Sequence, residues 1–154
     1  MSKEAHSHAP PPDRASEERL TPGRRRVLQL LRRAGRAVGA YEMIDMVAAD
    51  TGRRPAPISV YRILDFLVED GHVHRLASRS AYLACGHVHG AGEPVAFLIC
   101  DTCGGVCEET SAALVQNVDA TARHAGFRPR AQVIEIAGCC AQCHTRDTAV
   151  LAHP

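Results

Sequence analysis

With 154 residues and 45% apolar content, the chain can bury one sizeable core or two small ones, and with 4% aromatic residues and no tryptophan such a core gains from a metal clip. The formal charge of +1 divides unevenly: residues 1–84 carry fourteen Lys and Arg against ten Asp and Glu, and residues 85–154 carry four against seven. A basic first half suits a polyanion, and an acidic second half bearing Cys and His suits a cation. No signal peptide or transmembrane run is read in it, so a cytoplasmic protein that does not touch membrane is expected.

Residues 1–18, with Pro10-Pro11-Pro12 and no apolar period, predict a disordered tail in which His6 and His8 are solvated. Thr21 as N-cap and Pro22 at the first helical position open a helix with Val27, Leu28, Leu30, Leu31 and Ala34 on one face, and Gly35 ends it. Seven arginines and no acid lie between Arg19 and Arg36, a run that suits a solvated helix back or phosphate contacts. A second helix from about Ala40 turns Met43, Ile44, Val47 and Ala48 inward, and Gly52-Arg53-Arg54-Pro55 leads out of it. The third begins at Pro57, buries Val60, Leu64 and Leu67, and faces Ser59, Arg62, Asp65 and Glu69 outward until Gly71 stops it. Residues 73–77 and 81–85 predict two strands of a hairpin turning at Ser78-Arg79-Ser80. Three short helices and a hairpin are the plan of a winged helix-turn-helix, with the third helix in the major groove and the hairpin as wing.

Residues 86–94 form a Gly/His hinge loop between a winged-helix domain at 19–85 and a second domain at 95–154. In the second, 95–99 is a continuous apolar strand and Val106 to Glu108 its partner. Ser111 caps a helix reaching about Ala125 with Leu114, Val115 and Val118 as its stripe, and Gln132 to Ala137 is a last strand. The expected fold class is α+β, a winged helix-turn-helix followed by a small α/β dimerisation domain too thin to stand alone and therefore a homodimer.

Two Cys-x-x-Cys pairs, Cys100/Cys103 and Cys140/Cys143, offer the four thiolates that a tetrahedral structural zinc prefers. An iron-sulfur cluster takes the same donors. Seven cysteines without a signal peptide speak against disulfides, and a thioredoxin-like redox pair would need one Cys-x-x-Cys at the start of a helix, whereas both pairs follow apolar, strand-like segments. A second group, His74, Cys85, His87, His89, Glu93 and Glu108, gathers around the domain boundary, and its mixture of imidazole, thiolate and carboxylate fits zinc. Singly, a histidine in a wing is a surface residue and Cys85 a small hydrophobe. Together they describe a switch, where the four cysteines describe a permanent fastener.

Leu20-Thr21-Pro22, Ala40-Tyr41, Val60-Tyr61-Arg62-Ile63-Leu64-Asp65-Phe66-Leu67, Gly71-His72-Val73-His74-Arg75, Phe97-Leu98-Ile99-Cys100-Asp101-Thr102-Cys103-Gly104 and Cys140-Ala141-Gln142-Cys143 stand in the order and spacing of the ferric uptake regulator family. Over residues 19–145 the chain resembles that family, and within it the zinc uptake regulator branch. The resemblance implies a homodimeric, zinc-loaded repressor of zinc uptake genes that binds double-stranded operator DNA, with two zinc ions per subunit. It makes Cys100, Cys103, Cys140 and Cys143 the structural ligands and His74, Cys85 and Glu108 three of four sensor ligands. His89 is taken as the fourth, with His87 and Glu93 as alternatives, because the branch often has a histidine where this chain has Glu93. Tyr41, Ser59, Tyr61 and Arg62 are implied as DNA contacts, with Arg25 as a phosphate contact. Ser59 replaces the family's usual Thr, and Cys107 and Cys139 match no ligand.

Zinc nucleobase deaminases also combine Cys-x-x-Cys with His and Glu, but they need a His-x-Glu or Cys-x-Glu and a proline before the pair. Here Ile99 and Cys139 precede the two pairs, so neither an enzyme nor a small-molecule substrate is expected. The remaining alternatives are a winged-helix protein with purely structural zinc and a family member sensing iron or manganese, against which the Cys85 thiolate argues.

Overall fold

The computed structural model describes residues 17–86, 95–129 and 132–150, the last five by backbone only. The predicted tail up to Ser16 and His87, His89 and Glu93 of the hinge lie outside the described residues. The chain divides into two compact units, Met1–His89 and Gly90–Pro154.

In the first unit α1 (Pro22–Ala34) starts where Pro22 loses nothing by lacking an N–H. Thr21 has the extended backbone of an N-cap, but its side chain makes no cap hydrogen bond, and Gly35 ends the helix at φ 61°. Strand β1 (Val38–Gly39) leads into α2 (Ala40–Thr51), and after a turn comes α3 (Pro57–Glu69). Strands β2 (Val73–Leu76) and β3 (Ala81–Ala84) are joined by a single 3-10 turn, Ala77–Arg79. The three strands run in the order β1-β3-β2, all antiparallel. Fifteen side chains, Leu20 just ahead of α1 and the others from α1, α2, α3 and the strands, make one apolar core, in which Leu64 and Leu67 of α3 and Met43 and Ile44 of α2 are fully buried. Each fully buried leucine of this kind contributes about 1.5–3 kcal/mol over leaving it in water.

The pairing of β1 with β3, Val38 opposite Tyr82 and Gly39 opposite Ala81, adds a strand that periodicity does not reveal. Two residues, one of them glycine, carry no alternation to read.

The second unit is a three-stranded sheet in the order β5-β4-β6, formed by β4 (Val95–Cys100), β5 (Val106–Glu109) and β6 (Val133–Gly138), with α4 (Ala112–His124) between β5 and β6 and α5 (Ala141–Val150) after them. Strand β4 is central, antiparallel to β5 and parallel to β6. It is buried on both faces at Val95, Phe97, Ile99, Ala96 and Cys100, as its unbroken apolar run requires. Ser111 caps α4, its Oγ accepting from Leu114 N–H at 3.2 Å. The expected stripe of Leu114, Val115 and Val118 is only half-buried, and Leu98, Val133, Ile136 and Phe127 are exposed.

Candidate metal centre and nucleic-acid interface

The four cysteines meet because β4 and β6 are parallel. Cys100 ends β4 opposite Gly138, the last residue of β6, so both Cys-x-x-Cys segments leave the sheet at the same end. A hydrogen bond from Asp101 N–H to Gly138 O, 2.8 Å, latches the first turn to the second strand. The first turn is tight: Gly104 N–H donates to Cys100 O and Cys100 N–H to Gly105 O, both 2.9 Å. Gly104 takes φ 71°, where a side chain would be strained, and a Cβ on Gly105 would stand 3.3 Å from Cys103 Sγ.

The second pair opens α5, with Cys143 N–H donating to Cys140 O at 3.0 Å. The second pair thus stands at the start of a helix, contrary to the expectation that neither pair does, so placement alone does not exclude a redox pair. The surroundings favour a metal. All four sulfurs lie within 4.8 Å of one another, with Cys103 Sγ and Cys140 Sγ 3.9 Å apart. Four thiolates about 2.3 Å from one tetrahedral zinc stand about 3.8 Å from each other, so the donors fit the ion in number and spacing.

The electrostatics agree with a cation. Hydrogen bonds from the Cys103 and then the Cys140 backbone N–H lower the Cys100 thiol to about 5, the Cys140 N–H lying 3.3 Å from its sulfur. Cys143 is driven far above the ordinary thiol range, first by its contact with the Cys140 thiol and then by burial. A cluster that releases one proton readily and resists releasing others is one whose accumulating negative charge a bound dication relieves. Cys107 and Cys139 stand apart. Burial and its hydrogen bond to Glu109 hold the Cys107 thiol up, and Cys139 Sγ approaches Thr102 Oγ1 at 3.8 Å.

Of the sensor candidates, His74 is half-buried in β2 and Cys85 is buried just beyond β3. Cys85 N–H donates to His72 O at 3.0 Å, extending the β2–β3 ladder by one pair, so His72, His74 and Cys85 project from the same face of the sheet. The Cys85 thiol donates to Gly71 O at 3.1 Å. His72 is a buried polar residue that sequence reasoning passed over; its Nε2 lies 3.1 Å from Asp70 Oδ2 but out of line for a hydrogen bond. Glu108 is half-buried on β5 of the second unit, opposite Phe97.

On α3, Ser59 and Arg62 face outward, and none of the described residues pairs with Arg62. Tyr41, at the start of α2, is 71% exposed. Tyr61 is different, for its ring packs against the core. The arginine run of α1 is largely occupied. Arg26 and Arg33 both pair with Asp50 of α2, Arg32 with Glu17 and Arg36 with Glu42, and Arg24 lies over the Phe66 ring of α3, 3.3 Å from its centroid. Arg25 donates to the carbonyls of Glu17, Glu18 and Leu20 at 3.2–3.3 Å. The run therefore braces α1 against its neighbours more than it presents free charge.

These features define a class, a winged-helix protein whose second unit carries a four-cysteine cluster able to coordinate a metal. A profile of the ferric uptake regulator family matches residues 15–137. The zinc uptake regulation protein of Escherichia coli K12 is 38% identical over 125 residues, 81% of this chain and 72% of that protein. A zinc uptake regulator solved in complex with zinc and DNA superposes with a TM-score of 0.77 at 36% identity, covering 84% of this chain and 86% of its own. Holo XcZur gives 0.73 at 43% identity, covering 82% and 87%. The chain belongs to the ferric uptake regulator family, in its zinc uptake regulator branch. Members of this family are transcriptional regulators, not enzymes. Among the described residues no helix is long and apolar enough to cross a membrane.

Proposed function

We propose that this chain is a zinc-responsive repressor that binds operator DNA as a zinc-loaded homodimer and controls zinc uptake genes. Its domains are residues 19–85 for DNA, 86–94 as hinge and 95–154 for dimerisation and metal. The observation that carries the proposal is the outward pair Ser59 and Arg62 on α3, in a chain whose likeness to a regulator solved with zinc and DNA extends over 84% of its length. Arg62 serves as bidentate donor to guanine O6 and N7, with Tyr41, Ser59 and Tyr61 as neighbouring contacts and Arg25 on the backbone. The exposed Leu98, Val133, Ile136 and Phe127 of the second unit support a homodimer, since they are apolar area that a second copy can cover.

Cys100, Cys103, Cys140 and Cys143 hold one zinc that supplies folding free energy. His74, Cys85, His89 and Glu108 hold a second, which favours the DNA-competent arrangement of the dimer because that arrangement alone assembles all four ligands. Linkage requires DNA to tighten zinc by the factor by which zinc tightens DNA.

The test is metal analysis of the purified protein before and after mild chelation, alongside DNA binding, for the parent and Cys85→Ser. The parent should carry one tight and one chelatable zinc per subunit, with the second controlling operator affinity. Cys85→Ser should keep the tight zinc and weak general DNA affinity but lose the zinc response. A parent with only tight zinc and unregulated DNA binding would make the metal purely structural.

A further inference from the structure

Ile58 stands in the first turn of α3 with 59% of its surface exposed, among the most open large apolar side chains of the first unit. The outward stripe of that helix is graded in charge: Ile58 and Ser59 are uncharged, Arg62 is cationic, and Asp65 and Glu69 toward the C-terminus are acids. Carboxylates repel phosphates, so the N-terminal end is the end suited to the groove of a polyanion, as in other recognition helices. Ile58 and Arg62 are spaced i, i+4 and therefore share a face. An aliphatic side chain offers no hydrogen bond to a base or phosphate. The major groove has one apolar group on its base edges, the C5-methyl of thymine.

We infer that Ile58 is a specificity-determining residue that packs on the C5-methyl of a thymine beside the base read by Arg62; the inference rests on α3 being the recognition helix. Four helical residues rise about 6 Å, so the thymine lies within about two base pairs of Arg62's partner at 3.4 Å per step. Isolated exposed isoleucines occur on many proteins without a role, and the experiment separates that case from this one.

The zinc-loaded full chain is used to select its preferred duplex from a random library. Each thymine of the selected site is then replaced in turn by deoxyuridine, which removes only the methyl group, and affinities are measured for the parent and Ile58→Ala at one salt concentration. One replacement should weaken the parent about fourfold per half-site, the value of one buried methyl, and leave Ile58→Ala unaffected. Because Ile58 is exposed, the variant should melt with the parent, so the comparison is between folded proteins. If a preferred sequence emerges but every methyl effect survives in Ile58→Ala, or no thymine is methyl-sensitive, the inference is overturned while α3 keeps its role. If selection yields no preferred sequence, the recognition-helix proposal fails and the inference falls with it.

Discussion

Removing metal from the four cysteines should unfold the second unit and leave the first standing. Among its described residues the second unit buries only Val95, Phe97 and Ile99 as large side chains beside Ala96 and the two cysteines, and no residue of α4 is fully buried. At about 1.5–3 kcal/mol each, three such side chains contribute about 5–9 kcal/mol before any entropy is subtracted. A structural zinc is worth about 10–16 kcal/mol in apparent terms, at least as much as the whole stability of an ordinary domain, about 5–15 kcal/mol. Metal is thus the larger contribution, whereas the first unit rests on its own fifteen-residue core. All three tyrosines, Tyr41, Tyr61 and Tyr82, are in the first unit. Tyrosine fluorescence therefore follows that unit alone, while far-ultraviolet circular dichroism follows both. With reductant present, a strong chelator or Cys140→Ser should remove part of the dichroism at room temperature and leave the tyrosine-detected melt near its original midpoint. A metal-free protein that keeps its full dichroism, or one whose two signals melt together at the parent's midpoint, would refute the reasoning.

Arg62→Ala should weaken specific DNA binding by about 1–3 kcal/mol and relax preference at one base pair, whereas Arg25→Ala should weaken all sequences alike and lower the salt slope; equal, sequence-independent losses would remove Arg62 from base readout. Ser111→Ala deletes the hydrogen bond to Leu114 N–H and should cost about 1 kcal/mol in urea denaturation of the second unit, with an unchanged midpoint counting against the cap. Zinc is held by thiolates, so its affinity for the four cysteines should fall as pH falls, read by competition with an indicator dye; an affinity independent of pH would contradict thiolate ligation.

The three helices of the first unit were legible in the chain because each has its own punctuation. Pro22 and Pro57 start helices, Gly35 and Gly52 end them in left-handed backbone, and Val60, Leu64 and Leu67 recur at the helical period and are buried. The identity of the four cysteines was legible too, since a paired Cys-x-x-Cys is a donor pattern independent of fold. Other features depended on partners distant in sequence. Two-residue β1 exists only because β3 offers it a ladder, and α5, with no strong apolar period, was not foreseen. The arginines from Arg19 to Arg36 have no acid between them and so suit either a solvated helix back or phosphate contacts, but tertiary packing brings Glu17, Glu42 and Asp50 to four of them, Arg26, Arg32, Arg33 and Arg36. The sharpest case is the metal centre itself. Spacing shows that two turns each carry two sulfurs, but only the parallel register of β4 with β6, Cys100 opposite Gly138, sends both turns off the same end of one sheet and closes the distance between them.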